Sequence, residues 1–203
     1  MAYKCSRLLC AVAGLVCLGI TQTFAQSLDW GGKPEGRAWT KIVADAIVAN
    51  DDELIAATPS DMSVYCPGYA TKNTEAKREF WAMLFSALAR YESNYDPATS
   101  FTESFKDSAG KFVVSRGLLQ ISKESANGYG CGINDENVLH DPAVNLACAV
   151  KIGQRWVSKD GRISKLTTSG KWRGMARYWS PFRSDTKRAV LQRALRGAPG
   201  CGE

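Results

Sequence analysis

The chain has 203 residues, 45% of them hydrophobic and 23% charged, with 26 Lys+Arg, 20 Asp+Glu and a formal charge of +6. That balance excludes low-complexity disorder and collagen, and a single histidine excludes a multi-histidine metal site. Apart from the first 25 residues, the length suits one domain with a real core.

Lys4 and Arg7 precede an apolar run, Leu8 to Ile20, and Thr23-Phe24-Ala25 offers small residues for cleavage before Gln26. Residues 1–25 therefore read as a signal peptide, and the mature chain, 26–203, is expected in the periplasm or outside the cell. No remaining apolar stretch reaches ~18 residues, so no stable membrane insertion is expected. Loss of Lys4 and Arg7 lowers the formal charge to +4, a mild excess that suits an anionic wall or membrane surface. It would suit nucleic acid equally, but no run of five basic residues occurs, and no nucleic-acid partner is expected.

Cys5, Cys10 and Cys17 leave with the signal; Cys66, Cys131, Cys148 and Cys201 stay. An even number in an exported chain reads as two disulfides. Of three connectivities, Cys131–Cys148 is favoured as the pair closest in sequence, with Cys66–Cys201 tying the tail to the body. No C-x-x-C spacing suggests zinc or a redox site.

Residues 26–36, with Gly31, Gly32, Pro34 and Gly36, read as an irregular lead-in. Ala38–Ala49 has helical rhythm at Trp39, Ile42, Val43, Ala46 and Ile47. Asp51 is placed to cap a short second helix ending near Thr58-Pro59, and 60–72 reads as a loop. The strongest helix runs from Thr74, its expected cap, to about Ser93, with Phe80, Trp81, Leu84, Phe85, Leu88 and Tyr91 on a wide apolar face. Pro97 disfavours helical geometry at Asp96. Thr99–Phe105 and Lys111–Ser115 flank Asp107-Ser-Ala-Gly110 as a hairpin. Arg116–Ser122 reads as one or two helical turns, and Asn127–Gly130 as a loop. Asp141 caps a long helix with Pro142 at its first position and Gly161 at its end. A shorter helix is expected over Trp172–Tyr178, and a last one over Asp185–Arg196 between Ser184 and Gly197. The class is mainly α with a small β-hairpin, in one domain.

Glu92 sits in the last turn of the most apolar helix. Apolar neighbours and the negative helix end both disfavour its charge and raise its pKa. A carboxyl still protonated near neutral pH is what a glycosidic oxygen needs as general acid.

Four segments resemble one family in order. Glu92-Ser93-Asn94-Tyr95-Asp96-Pro97 is similar to the E-S-x-aromatic-x-P motif of soluble lytic transglycosylases, and Gly117-Leu118-Leu119-Gln120 to their G-L-M-Q. Leu139 to Asn145 resembles their L-x-D-P-x-x-N helix start, and Ala176-Arg177-Tyr178 lies where they have A-x-Y-N. The resemblance spans about residues 75–180. It implies a lysozyme-like fold, with 26–72 as an N-terminal extension packed on it. The implied activity is cleavage of the β-1,4 bond between N-acetylmuramic acid and N-acetylglucosamine in peptidoglycan. One glutamate, here Glu92, protonates the leaving oxygen and then takes the proton of the muramyl C6 hydroxyl, closing a 1,6-anhydro ring. Ser93, Tyr95, Gln120 and Tyr178 carry over as substrate-side residues, with the Tyr178 hydroxyl near Glu92. No cofactor is implied. The partners are glycan strands and, for a small monomeric enzyme without an anchoring module, a secretion-machine or wall-assembly protein.

Three features depart from the pattern. Trp179 replaces the asparagine after the tyrosine. Val114-Ser115-Arg116 replaces the small-residue approach to G-L-M-Q. The stretch from Glu92 to Gln120 is long, consistent with the hairpin as an insertion. Two alternatives follow. A hydrolytic muramidase would need a second carboxylate holding water, for which Asp96, Glu103 and Asp107 are available. A wall-binding assembly factor on a degenerate fold would need neither. Ser184-Asp185-Thr186-Lys187 fits S-x-x-K without its partner motifs and reads as a helix cap. His140, the only histidine, has no free cysteine to serve.

Overall fold

The computed structural model describes residues 29–202; the proposed signal segment lies outside them. The element expectations hold best where periodicity is long. Helix α1 spans Gly36–Ala49 and buries Trp39, Val43, Ala46 and Ile47. Two short helices, α2 (Glu53–Ala56) and α3 (Met62–Tyr65), follow. Helix α4 (Thr74–Glu92) buries Phe80 to Ala82 and Leu84 to Ala89. So continuous a buried run means that the helix is enclosed, not laid on a surface. Helices α1 and α7 (Asp185–Arg196) pack against it, and α1 also packs against α6 (Pro142–Asp160). One apolar core runs from Trp30 to Cys201.

A three-stranded antiparallel sheet stands beside this helical body. Strands β1 (Ser100–Lys106) and β2 (Phe112–Arg116) form the expected hairpin, with Thr102 opposite Val114 and an irregularity before Lys106. Strand β3 (Ile121–Ser122) pairs with β2, and α5 (Lys123–Gly128) follows. The fold is lysozyme-like and mainly α.

Several local expectations are corrected. Asn73, not Thr74, caps α4: its side chain accepts from the Ala76 N–H at 2.9 Å. Asp51 does not cap α2; it and Asp52 take positive φ of 57° and 52° in the turn. The 60–72 segment is not a loop but α3 followed by a 3-10 turn over Pro67–Thr71. Asn127 and Gly128 close α5 instead of forming a loop, and Asn127 holds both backbone groups of Ile133. Arg116–Ser122 is not helical, because Gly117 and Gln120 adopt φ of 76° and 47°, which no right-handed helix accepts. Trp172–Tyr178 is broken at Gly174 (φ 64°). Its first half is strand β5 (Trp172–Gly174), paired with β4 (Ser164–Leu166), and a 3-10 turn follows.

Both favoured disulfides are present. Cys66–Cys201 closes a sequence separation of 135, so it removes much loop entropy from the unfolded chain. Cys131–Cys148 ties the segment after α5 to α6. Among the described residues, no helix is long and apolar enough to cross a membrane.

Candidate active site

Helix α4 stops at Glu92 because the chain turns sharply there. Ser93 closes the helix through its N–H to the Ala89 carbonyl, and Asn94 and Tyr95 both take positive φ. Glu92 is thereby left at the floor of a cleft of about 580 Å³ between the helical body and the sheet. Phe101, Glu103 and Phe105 of β1 form one wall; Tyr178, Trp179 and Arg183 contribute to the other. The alternation of β1 puts its three contributors on one face.

Burial pushes the Glu92 carboxyl up to about 7, against the pull of Lys187 and Arg183, with Glu103 adding a smaller upward push. A carboxyl of ordinary value would be almost fully ionised near neutrality. This one, near 7, stays protonated in a substantial fraction of molecules there, as a general acid must.

Gln120 also lines the cleft, but largely as a brace. Its Nε2 donates to the carbonyls of Thr99 (3.1 Å) and Gly117 (2.8 Å), joining the start of β1 to the turn before β3. Its Oε1 is buried without a hydrogen-bond partner. Gly117 is required beneath it: an added Cβ would lie 2.1 Å from the Leu139 carbonyl oxygen and 2.4 Å from Asn145 Nδ2. Tyr178 lines the same cleft with its hydroxyl toward Ser125 and Ser122. Burial raises its pKa to about 12, so the phenol keeps its proton throughout the working range.

The structure does not bring Ser93 or Tyr95 to the cleft. Ser93 is buried, with its Oγ donating back to the Ala89 carbonyl at 3.2 Å. The Tyr95 ring lies on the far side of the turn, near Lys33 and Arg90. Adjacent residues at a helix end point in different directions, so a shared motif does not give a shared surface. Of the three candidate second carboxylates, Glu103 alone lines the cleft, where it accepts from Ser115 Oγ at 2.8 Å. Asp96 and Asp107 accept backbone N–H groups of their own turns.

Two residues whose roles the sequence did not reveal hold the Gln120 turn. Asn145, fully buried, accepts from the Leu119 N–H and donates to the carbonyls of Arg116 and Leu139, each at 2.9 Å. Trp179 donates its indole N–H to the Leu119 carbonyl at 3.1 Å and packs edge-on against Phe85 and Tyr178. The replacement that breaks the family pattern is thus a support for the cleft floor. The signal for Asn145 was present in its motif but read only as a helix start.

A mainly α body with a half-buried glutamate facing a sheet across an open cleft is a lysozyme-like class of fold with a candidate general acid. The transglycosylase SLT domain matches residues 69–168, and the chain belongs to that family. The solved structure of Bd0314 DslA, wild-type form 2, is 41% identical with a TM-score of 0.81, covering 85% of this chain and 96% of that one. Two variants of the same protein, each with one glutamate replaced by glutamine, match at 40% identity with TM-scores of 0.80 and 0.81. No curated protein matches.

Proposed function

We propose that this exported enzyme cleaves the β-1,4 bond between N-acetylmuramic acid and N-acetylglucosamine in peptidoglycan, with Glu92 as the general acid. The observation that carries the reading is a single desolvated carboxyl, raised to about 7, at the floor of an open cleft in a chain of the SLT family. Glu92 gives its proton to the leaving oxygen. Once ionised, it takes the proton of the muramyl C6 hydroxyl as that oxygen attacks C1, so the ring closes without water. The proposed export signal places the enzyme where the wall is.

A second reading has its own observation. Glu103 shares the cleft and the field of Glu92, and a carboxylate there can hold water for hydrolysis. The glutamates replaced in Bd0314 DslA stand at positions 143 and 154 of that chain, eleven apart, the separation of Glu92 and Glu103. Mass spectrometry of fragments from purified peptidoglycan separates the readings. Ring closure gives muropeptides ~18 Da lighter than hydrolysis products. Glu103→Gln is expected to keep the lighter products and to move the alkaline limb of activity to lower pH, because a negative neighbour of Glu92 is gone. Full-mass products from the wild type, and a hundredfold or greater loss in Glu103→Gln, would assign water as the nucleophile.

A further inference from the structure

A second cavity, about 750 Å³, lies apart from the catalytic floor. It is lined by Lys151, Arg155 and Lys159 of α6, with Tyr129 opposite them. The three cations recur every four residues and so share one helix face. Among the described residues they make no ion pair. The one carboxylate in the lining, Glu53, already accepts from Gln154 Nε2 at 2.7 Å.

This cavity and the cleft have a common neighbour. A smaller cavity of about 540 Å³ shares Tyr129 and Arg155 with it, and shares Ser125 with the cleft that holds Glu92. Its remaining lining is Gly128 and Trp156. The Trp156 indole N–H donates to the Tyr129 hydroxyl at 2.7 Å, fixing the two rings edge to face. Ser125, the two locked aromatic rings and the three cations thus lie in neighbouring concavities, with Lys151 donating to the Gly130 carbonyl at 3.0 Å and Lys159 over the Trp156 ring, none of the three in an ion pair among the described residues.

We propose that these concavities form a stem-peptide subsite, binding the carboxylates of a peptide borne by a muramyl residue beyond the cleaved bond. The inference rests on the peptidoglycan reading. N-acetylated glycan is uncharged, and the fixed negative charges of that polymer sit on its lactyl and peptide arms. Rings such as Tyr129 and Trp156 pack well against peptide planes and aliphatic stems, while Arg155 supplies a planar fork for a carboxylate. Glu92 lines neither concavity.

The test is the double variant Arg155→Glu/Lys159→Glu, both at exposed positions. Its substrates are intact peptidoglycan and amidase-stripped glycan, which keeps free lactyl carboxylates. On the intact wall, KM should rise about tenfold with kcat unchanged; on stripped glycan neither should move. An equal rise on both would assign the cations to lactyl groups or general attraction and overturn the subsite, as would no change on either. Cosedimentation with intact and stripped walls reads the same contrast without cleavage. Selective loss of pelleting on intact walls by a protein that cuts nothing would keep the subsite and reject the catalytic reading.

Discussion

Glu92→Gln will abolish wall cleavage and, above pH 7, make the protein more stable. The two effects have one cause. The amide cannot deliver a proton, and a positioned acid contributes about 10²–10⁴ in rate; in the proposed mechanism Glu92 serves in both steps, so the loss should reach the upper part of that range. The same substitution removes a group that the fold ionises at a cost. The carboxyl has an ordinary value of 4.5 in the unfolded chain and about 7 in the fold. Below 4.5 it is protonated in both states and contributes no pH dependence. Between 4.5 and 7 the folded state binds more protons, so stability falls as pH rises, and above 7 the penalty is complete, on the order of 3 kcal/mol. Thermal melts should show the variant matching the wild type at pH 4 and exceeding it by several degrees at pH 8. A gain of equal size at both pH values would mean that packing, and not titration, is responsible. The wild-type kcat/KM should fall as pH rises through about 7, where the free enzyme loses its acid.

How much of this was legible in the sequence depends on how local the cause was. Helices α4, α6 and α7 announce themselves because their periodic faces lie within each segment, as do the caps of α6 and α7. Glu92 was legible through the ordered motifs around it; its place at the end of an apolar helix, by itself, fits a surface glutamate as well. The Gln120 turn was misread because its shape is imposed from elsewhere. A short apolar run looks helical, but Gly117 and Gln120 take positive φ in a turn whose Arg116 carbonyl and Leu119 N–H are held by Asn145, distant in sequence. Glu103 could be named but not chosen over Asp96 and Asp107. That choice needed the pairing of β1 with β2, which brings Ser115 beside it. The β4–β5 hairpin was missed although Ser169-Gly170 marks a turn, because the aromatic spacing of Trp172 and Tyr178 was read as helical.

The backbone of Leu119 is the point where these distant causes meet, and it supports the second large prediction. Asn145 takes its N–H and Trp179 its carbonyl. One side chain comes from the start of α6, the other from the segment after β5. Asn145→Ala would leave a buried N–H and two carbonyls without their partner. At ~1–3 kcal/mol for each unpaired buried group, with some relaxation, the loss should be on the order of 4 kcal/mol. For a domain of this size that lowers Tm by about 10 °C. Trp179→Phe keeps an aromatic ring against Phe85 and removes one hydrogen bond and part of the ring volume, so its cost should be smaller, about 2 kcal/mol. Both variants loosen the turn that carries Gln120, and both should lose at least tenfold in kcat/KM at a temperature where they remain fully folded. Trp179→Phe keeps a ring against Phe85 of α4, and neither substitution adds or removes a charge, so the alkaline limb near pH 7 should stay where it is. If that limb moves with the activity, the Gln120 turn shapes the environment of Glu92 itself; if it holds while kcat/KM falls, the turn acts on how the sugar is placed.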